Sequence, residues 1–201
     1  MEKPAETQFP IHDLLRQRWS PRAFSEQHVE PDALRSLLEA ARWAPSSYNE
    51  QPWAFIIATK QDQAEYARLL SCLVEGNIQW AQRAPVLMVS VARRSFEENG
   101  KSNRHAFHDI GLAVANLVVQ ATALGLAVHQ MAGIFPDKVR ELYNIPEDYE
   151  PVAGIALGYP GDPDTLPERL RQRELAPRSR KPIREFVFAG RWGQTSPLIA
   201  G

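Results

Sequence analysis

The sequence predicts an α+β fold, because strand-like and helix-like segments mix along the chain without a regular alternation. Four short apolar runs rich in β-forming residues are predicted strands: residues 53–59, 86–92, 127–131 and 152–157. The second run is apolar nearly throughout, which is typical of a central strand. No G-x-G-x-x-G motif follows any of these strands, so a dinucleotide-binding Rossmann domain is not expected.

Helices are predicted from apolar periodicity and from the residues that begin and end them. Proline stands at the start of two helices, at Pro31 and Pro136, and Asp62 stands at the start of another. Gly125 lies near the end of the longest helix, as a C-terminal glycine should. The predicted helices span residues 11–17, 31–43, 62–70, 77–83, 104–126 and 136–143.

The helix over 104–126 is apolar on almost every side, which indicates burial. In so small a protein, burial on every side indicates a partner subunit. The helix also contains Asn116, Gln120 and Thr122, so a buried core helix is favoured over a membrane span.

Composition indicates one domain, residues 1–201, with a sizeable core, since 44% of the residues are hydrophobic. The formal net charge of −1 argues against a general nucleic-acid-binding protein. Cys72 is the single cysteine, which fits a reducing compartment. The first ten residues have no basic start followed by an apolar run, so no signal peptide is predicted and a cytoplasmic location is expected.

Residues 161–201, here called the C-terminal arm, differ in character from the rest of the chain. Prolines and basic residues recur in the arm, and only residues 183–188 have strand character. Such a segment cannot form a core alone, so we expect an extended arm that lies across the body or across a neighbour.

Two segments near the N-terminus carry residue types that suit a phosphorylated, ring-bearing cofactor. The arginine clamp, residues 18–22, reads Arg-Trp-Ser-Pro-Arg, and guanidinium groups bind phosphate through paired hydrogen bonds. The Ser-Asn turn, residues 44–53, reads Ala-Pro-Ser-Ser-Tyr-Asn-Glu-Gln-Pro-Trp and offers backbone N–H groups, amides and an aromatic wall. Together they predict an anion site beside a ring site.

With these segments in this order, the chain resembles the nitroreductase family of FMN-dependent oxidoreductases from Arg16 to about Gly193. The resemblance is carried by the arginine clamp, the Ser-Asn turn, Asn77, Ala-Leu-Gly-Leu at 123–126, Met-Ala-Gly at 131–133, Leu-Gly-Tyr-Pro at 157–160 and the basic tail at 178–181. It implies a central, mainly antiparallel sheet flanked by helices. It also implies a homodimer that holds FMN at the subunit interface, with the C-terminal arm exchanged onto the partner subunit.

The resemblance implies three groups of FMN contacts. Contacts to the phosphate, ribityl chain and pyrimidine edge would come from Arg18, Trp19, Ser20, Arg22, Arg178 and Arg180. Ring contacts from the same subunit would come from Asn77, Gln130, Met131, Ala132 and Gly133, with a backbone N–H of Ala132 or Gly133 facing flavin N5. The other subunit would contribute Pro45, Ser46, Ser47 and Asn49.

The resemblance also implies the chemistry: hydride passes from NADH or NADPH through flavin N5 to a small electron-poor acceptor, such as a nitroaromatic, quinone or enal. One open face serves donor and acceptor in turn, so ping-pong kinetics are expected, with no catalytic acid or base and no metal. The alternatives are an FMN carrier or sensor, a relative that fragments FMN or dehalogenates, and a dimeric scaffold without cofactor.

Two positions depart from familiar members of the family. Ala132 stands where some members have a carboxylate, and Trp80 stands where some have a basic residue. Arg22 would then carry more of the charge stabilisation at the flavin ring. Tyr48 and Trp80 are the candidate walls of the open pocket.

Overall fold

The computed structural model describes residues 2–199. This part of the chain contains helices α1 (Asp13–Gln17), α2 (Pro31–Arg42), α3 (Gln63–Leu70), α4 (Glu75–Ala81), α5 (Ala106–Ala123), α6 (Pro136–Tyr143) and α7 (Glu168–Leu175). Its strands are β1 (Trp53–Thr59), β2 (Val86–Arg93), β3 (Ala127–Met131) and β4 (Tyr149–Gly158).

The four strands form one sheet in the order β1-β2-β4-β3, and every neighbouring pair is antiparallel. Strand β2 lies inside the sheet and is buried from Val86 to Ala92, as its apolar sequence predicts. Strands β1 and β3 are the two edges. The predicted α+β class and the mainly antiparallel sheet are therefore confirmed.

One face of the sheet is covered by α2 and α5, whose apolar residues form a single cluster with β2 and β4. Two polar residues of α5 bind α2: Asn116 Nδ2 donates to the Ala40 carbonyl at 3.2 Å, and Gln120 Nε2 donates to Ser36 Oγ at 3.0 Å. By length and composition alone α5 could cross a membrane, but 44% of its residues are buried inside the fold. Phe107, which is 51% exposed, lies on the face of α5 that this chain leaves uncovered.

The other face of the sheet is covered by α3, α4 and α6. Helix α3 begins where Asp62 accepts a hydrogen bond from the Glu65 N–H at 3.0 Å. Its Tyr66 hydroxyl donates to the Ala84 carbonyl at 2.6 Å, which ties α3 to the start of β2. Helix α6 begins at Pro136 and ends at Asn144 in the left-handed conformation.

The C-terminal arm differs from the sequence prediction. Residues 168–175 form helix α7, and Leu166 and Leu170 are buried in the core of the same chain. Residues 183–185 form a short 3₁₀ turn, so the strand character assigned to 183–188 is wrong. Helix α7 is charged on most sides, which leaves little apolar periodicity to read. Residues 178–186 lie against the N-terminal segment of the same chain, so exchange onto a partner stays a prediction for the residues that follow.

Gly161, which follows β4, contacts the residues that follow the arginine clamp. Its N–H donates to the Ala23 carbonyl at 2.8 Å. A Cβ at Gly161 would lie 2.4 Å from the backbone carbonyl carbon of Phe24. This close approach of two backbones is open only to glycine.

We expect Gly161→Ala to lower the free energy of unfolding by about 1–3 kcal/mol, because the added methyl must displace backbone. Gly76→Ala is the matched control, since nothing lies within 4 Å of its Cβ position in α4. The control should be neutral or stabilising by about 0.5–1 kcal/mol. Urea unfolding of both variants measures the difference, and equal effects would contradict this packing.

Candidate functional site

The arginine clamp follows α1 and lines a cavity of about 210 Å³, here called the cationic cavity. Arg18 and Ser20 are joined within it by a hydrogen bond from the guanidinium to Oγ at 3.3 Å. The chain's N-terminal segment and its C-terminal arm complete the wall. The lining residues are Lys3, Arg18, Trp19, Ser20, Arg22, Arg173, Glu174, Ala176, Pro177, Arg178 and Arg180.

Glu174 is the anchor of the arginine clamp, and its side chain is buried. Its carboxylate accepts hydrogen bonds from the Arg22 N–H at 2.8 Å and from the Ala23 N–H at 3.0 Å. The Arg22 guanidinium lies 3.9 Å from the same carboxylate. Sequence reasoning missed Glu174, because the only signal was its i, i+4 spacing from Leu170 on a helix that was not predicted.

Lys3 ties the N-terminal segment to the arm and to the clamp. Its ammonium donates to the carbonyls of Glu174 and Ala176, both at 2.5 Å, and lies 5.1 Å from the centroid of the Trp19 ring. The Lys3 carbonyl in turn accepts a hydrogen bond from the Arg178 guanidinium. Arg178 also donates to the Arg16 carbonyl at 3.1 Å. Lys3 was not singled out in the sequence either.

The cations of the cavity repel one another. Burial, followed by the charges of Arg178 and Arg180, lowers the pKa of Arg18. Burial and Arg180 lower the pKa of Arg178. Burial and Arg173 lower the pKa of Arg22, against the opposing effect of Glu174. Each shift disfavours the charged form, so a bound anion would relieve all three.

A second group of predicted residues meets where α4 approaches the turn after β3. Asn77 Nδ2 donates to the Gly133 carbonyl at 3.0 Å, and the Val74 N–H donates to the same carbonyl at 3.1 Å. A Cβ at Gly133 would lie 2.6 Å from Asn77 Nδ2, so a side chain there would break this contact. Within residues 2–199, the N–H groups of Ala132 and Gly133 donate to no backbone carbonyl.

His129 and Trp80 join the two groups. His129 Nδ1 donates to the Pro21 carbonyl at 2.8 Å, and burial lowers the pKa of His129 to about 4. The Trp80 ring centroid lies 4.5 Å from that of His129 and 6.3 Å from that of Phe24. Because Trp80 is only 1% exposed, its interpretation as a pocket wall is wrong and it is a core residue.

The Ser-Asn turn is held in a strained conformation, with φ at +53° for Tyr48, +55° for Asn49 and +50° for Gln51. The Ser47 N–H donates at 3.0 Å to Asp109, a buried carboxylate near the start of α5. Left-handed residues other than glycine cost about 1–3 kcal/mol each and cluster at ligand sites. Asp109 gave no separate signal within the apolar pattern of α5.

Within one chain, the Ser-Asn turn lies far from the arginine clamp and from Gly133. The turn leads into β1, whereas Gly133 follows β3, and these strands are opposite edges of the sheet, about 14 Å apart. The turn binds Asp109, whereas Arg18 lines a cavity with Thr122 at the other end of α5, roughly 20 Å along the helix. Pro45, Ser46, Ser47 and Asn49 are therefore separated from the other predicted contacts.

The model of the nitroreductase family matches residues 15–159, which is most of the chain. This protein belongs to the nitroreductase family. A solved oxidoreductase containing FMN is 36% identical with a TM-score of 0.89, and the match covers 94% of this chain and 96% of that one. A solved nitroreductase family protein from Clostridium difficile 630 is 26% identical with a TM-score of 0.68, and the match covers 89% of this chain and 96% of that one. An FMN reductase [NAD(P)H] of Bacillus subtilis is 27% identical over 78% of this chain and 68% of its own length.

The family match ends before α7, so Glu174, Arg178 and Arg180 of this protein lie outside it. Arg178 and Arg180 line the cationic cavity, whereas Lys181 does not. Among residues 2–199 there is no group of three or more His, Cys, Asp or Glu side chains arranged to hold a metal ion.

The depressed pKa of His129 predicts a loss of stability in acid. The unfolded chain takes up the proton near pH 6.5 and the folded chain only near pH 4, so the free energy of unfolding should fall between these values. Neutral His129 stabilises the folded protein, relative to acid, by roughly 3 kcal/mol. This stability is fully present above pH 6.5 and is lost as the pH falls through 4. Urea unfolding from pH 4 to pH 7.5 measures it.

His129→Gln should flatten this pH dependence, because its amide does not titrate. His105→Gln removes an exposed histidine and should leave the pH dependence as in the parent protein. Parallel curves for His129→Gln and the parent protein would contradict the assignment.

Proposed function

We propose that this member of the nitroreductase family is an FMN-dependent oxidoreductase that uses NADH or NADPH to reduce a small electron-poor acceptor such as a nitroaromatic, quinone or enal. FMN, when bound, would relay hydride between donor and acceptor through its N5 position. Because donor and acceptor would share one open face, ping-pong kinetics are expected. The observation that carries the proposal is the cationic cavity.

The cationic cavity fits a phosphate. Arg18 and Arg178 are partly buried, and burial, followed by repulsion from neighbouring arginines, lowers the pKa of each guanidinium. The buried carboxylate of Glu174 is already engaged by two backbone N–H groups. A phosphate dianion would receive charge-assisted hydrogen bonds from Arg18, Arg178 and Arg180, each stronger than a neutral hydrogen bond.

The residues beside the cavity would hold the ring. Arg22, fixed by Glu174, would face the pyrimidine edge and stabilise negative charge there. The Asn77 amide, oriented by Gly133, retains an oxygen that can accept a hydrogen bond. A backbone N–H of Ala132 or Gly133 would donate at the N5 position. We assign no catalytic acid or base.

We propose that the working unit is a homodimer, in which the Ser-Asn turn of one subunit completes the site of the other. The turn is already held in its strained shape by Asp109 and lies far from its own clamp. Symmetric dimers repeat every contact twice, so one pairing would complete two sites. The uncovered face of α5, which includes the exposed Phe107, is available for that pairing.

Arg18→Gln should raise the dissociation constant for FMN about 10- to 100-fold, because one charge-assisted bond to the phosphate is lost. Riboflavin, which lacks the phosphate, should bind both proteins equally. The matched control is Arg35→Gln, whose guanidinium is 75% exposed and pairs with Asp32. Fluorescence titration measures both ligands, and equal losses for FMN and riboflavin would contradict a phosphate role.

Anaerobic mixing with NADH or NADPH separates the reductase from a flavin carrier. We expect the visible flavin bands to bleach within the dead time or within seconds. Steady-state double-reciprocal plots should then give parallel lines when donor and acceptor are varied. Bands that persist with both nucleotides would favour a carrier or a flavin-modifying relative, and intersecting lines would contradict ping-pong kinetics.

A further inference from the structure

A second and larger cavity, here called the slot, adjoins the cationic cavity. It has a volume of about 640 Å³ and lies between residues 5–15 at the N-terminus and residues 178–186 of the arm. Arg18, Arg178 and Arg180 line both the slot and the cationic cavity. A ligand in the slot would therefore sit next to the group that occupies the cationic cavity.

The slot has apolar walls that this chain leaves exposed. Phe9 is 57% exposed on the N-terminal side, and Phe186 is 59% exposed on the arm. The other apolar lining residues are Ala5, Ile11, Leu15, Pro182 and Ile183. Two phenylalanine side chains from different segments thus line the slot, and aromatic side chains stack favourably on planar rings. The volume falls within the usual range of small-molecule sites.

The charge of the region exceeds what one phosphate neutralises. Six cationic side chains line the cationic cavity, and Glu174 is the only carboxylate among its lining residues. A phosphate dianion would leave a surplus of about three positive charges there. The slot adds one cation, Lys181, and one carboxylate, Glu6, neither of which lines the cationic cavity, so the surplus over the two cavities together stays at about three positive charges. The slot thus combines an apolar, ring-sized space with a surplus of positive charge that a second anion would offset.

We propose that the slot binds an adenosine phosphate, with the purine against Phe9 and Phe186 and the phosphate facing Arg180 and Lys181. This inference rests on the proposed function, because it takes FMN as the occupant of the cationic cavity. An adenosine phosphate has two sources in that chemistry: the adenylate half of the NAD(P)H donor, or the adenylate half of FAD. Both present a purine joined to a phosphate.

The test is calorimetric titration of the FMN-loaded protein with AMP, adenosine and inorganic phosphate. We expect AMP to bind at least about tenfold more tightly than either part alone, because only AMP uses both the rings and the cations. Phe186→Ala should weaken AMP binding about tenfold, the scale of one lost stacking contact on a base. Lys181→Gln should weaken AMP binding without changing the affinity for adenosine.

Trp192→Ala is the matched control, since Trp192 is an exposed aromatic residue of the same arm that lies outside the slot. It should bind AMP as the parent protein does. FMN-loaded protein that binds no AMP, or that loses it equally in Trp192→Ala and Phe186→Ala, would overturn the inference. Protein that takes up no FMN would instead contradict the proposed function.

The two sources are separated by a second pair of measurements on Phe186→Ala. A raised Michaelis constant for NADH or NADPH would assign the slot to the donor's adenylate. A selective loss of affinity for FAD relative to FMN in the cofactor-free protein would assign it to FAD. Either result supports an adenosine phosphate site, and the absence of both changes would overturn it.

Discussion

The cationic cavity depends on the hydrogen bonds between the buried carboxylate of Glu174 and the backbone that follows the start of the arginine clamp. This carboxylate receives the N–H groups of Arg22 and Ala23 and partly offsets the charge of the arginines around it. A buried carboxylate is stable only when it is hydrogen-bonded and paired, so α7 and the arginine clamp hold each other in place. The remaining positive charge surrounds one small cavity, which is the physical basis of the proposed phosphate site.

The order of the strands keeps two of the predicted site segments apart within one chain. Because β1 and β3 are opposite edges of the sheet, the Ser-Asn turn and the Gly133 turn of one chain lie far apart. Asp109 nevertheless binds the Ser-Asn turn, whose positive φ angles are of the kind that clusters at ligand sites. The proposed symmetric dimer reconciles these observations, because each subunit would complete the partner's site.

The sequence predicted those parts of the fold that local patterns encode. The bounds of β1, β3 and α6 agree with the prediction, because apolar runs or a starting proline mark them. Helix α7 was missed because its charged surface hides the one apolar position that faces the core. Lys3 and Glu174 could not be found, because their contacts cross more than 150 residues of chain and arise only when the arm folds back.

Subunit complementation tests the composite site most directly. Arg18→Glu disables the clamp and Ser47→Trp blocks the turn, so each variant alone should be inactive. When the two are co-refolded, half of the dimers are mixed and each mixed dimer has one intact site, which predicts about a quarter of the parent activity. Mixed dimers that form, as differently tagged chains would reveal, yet show no recovered activity would contradict a site shared between subunits.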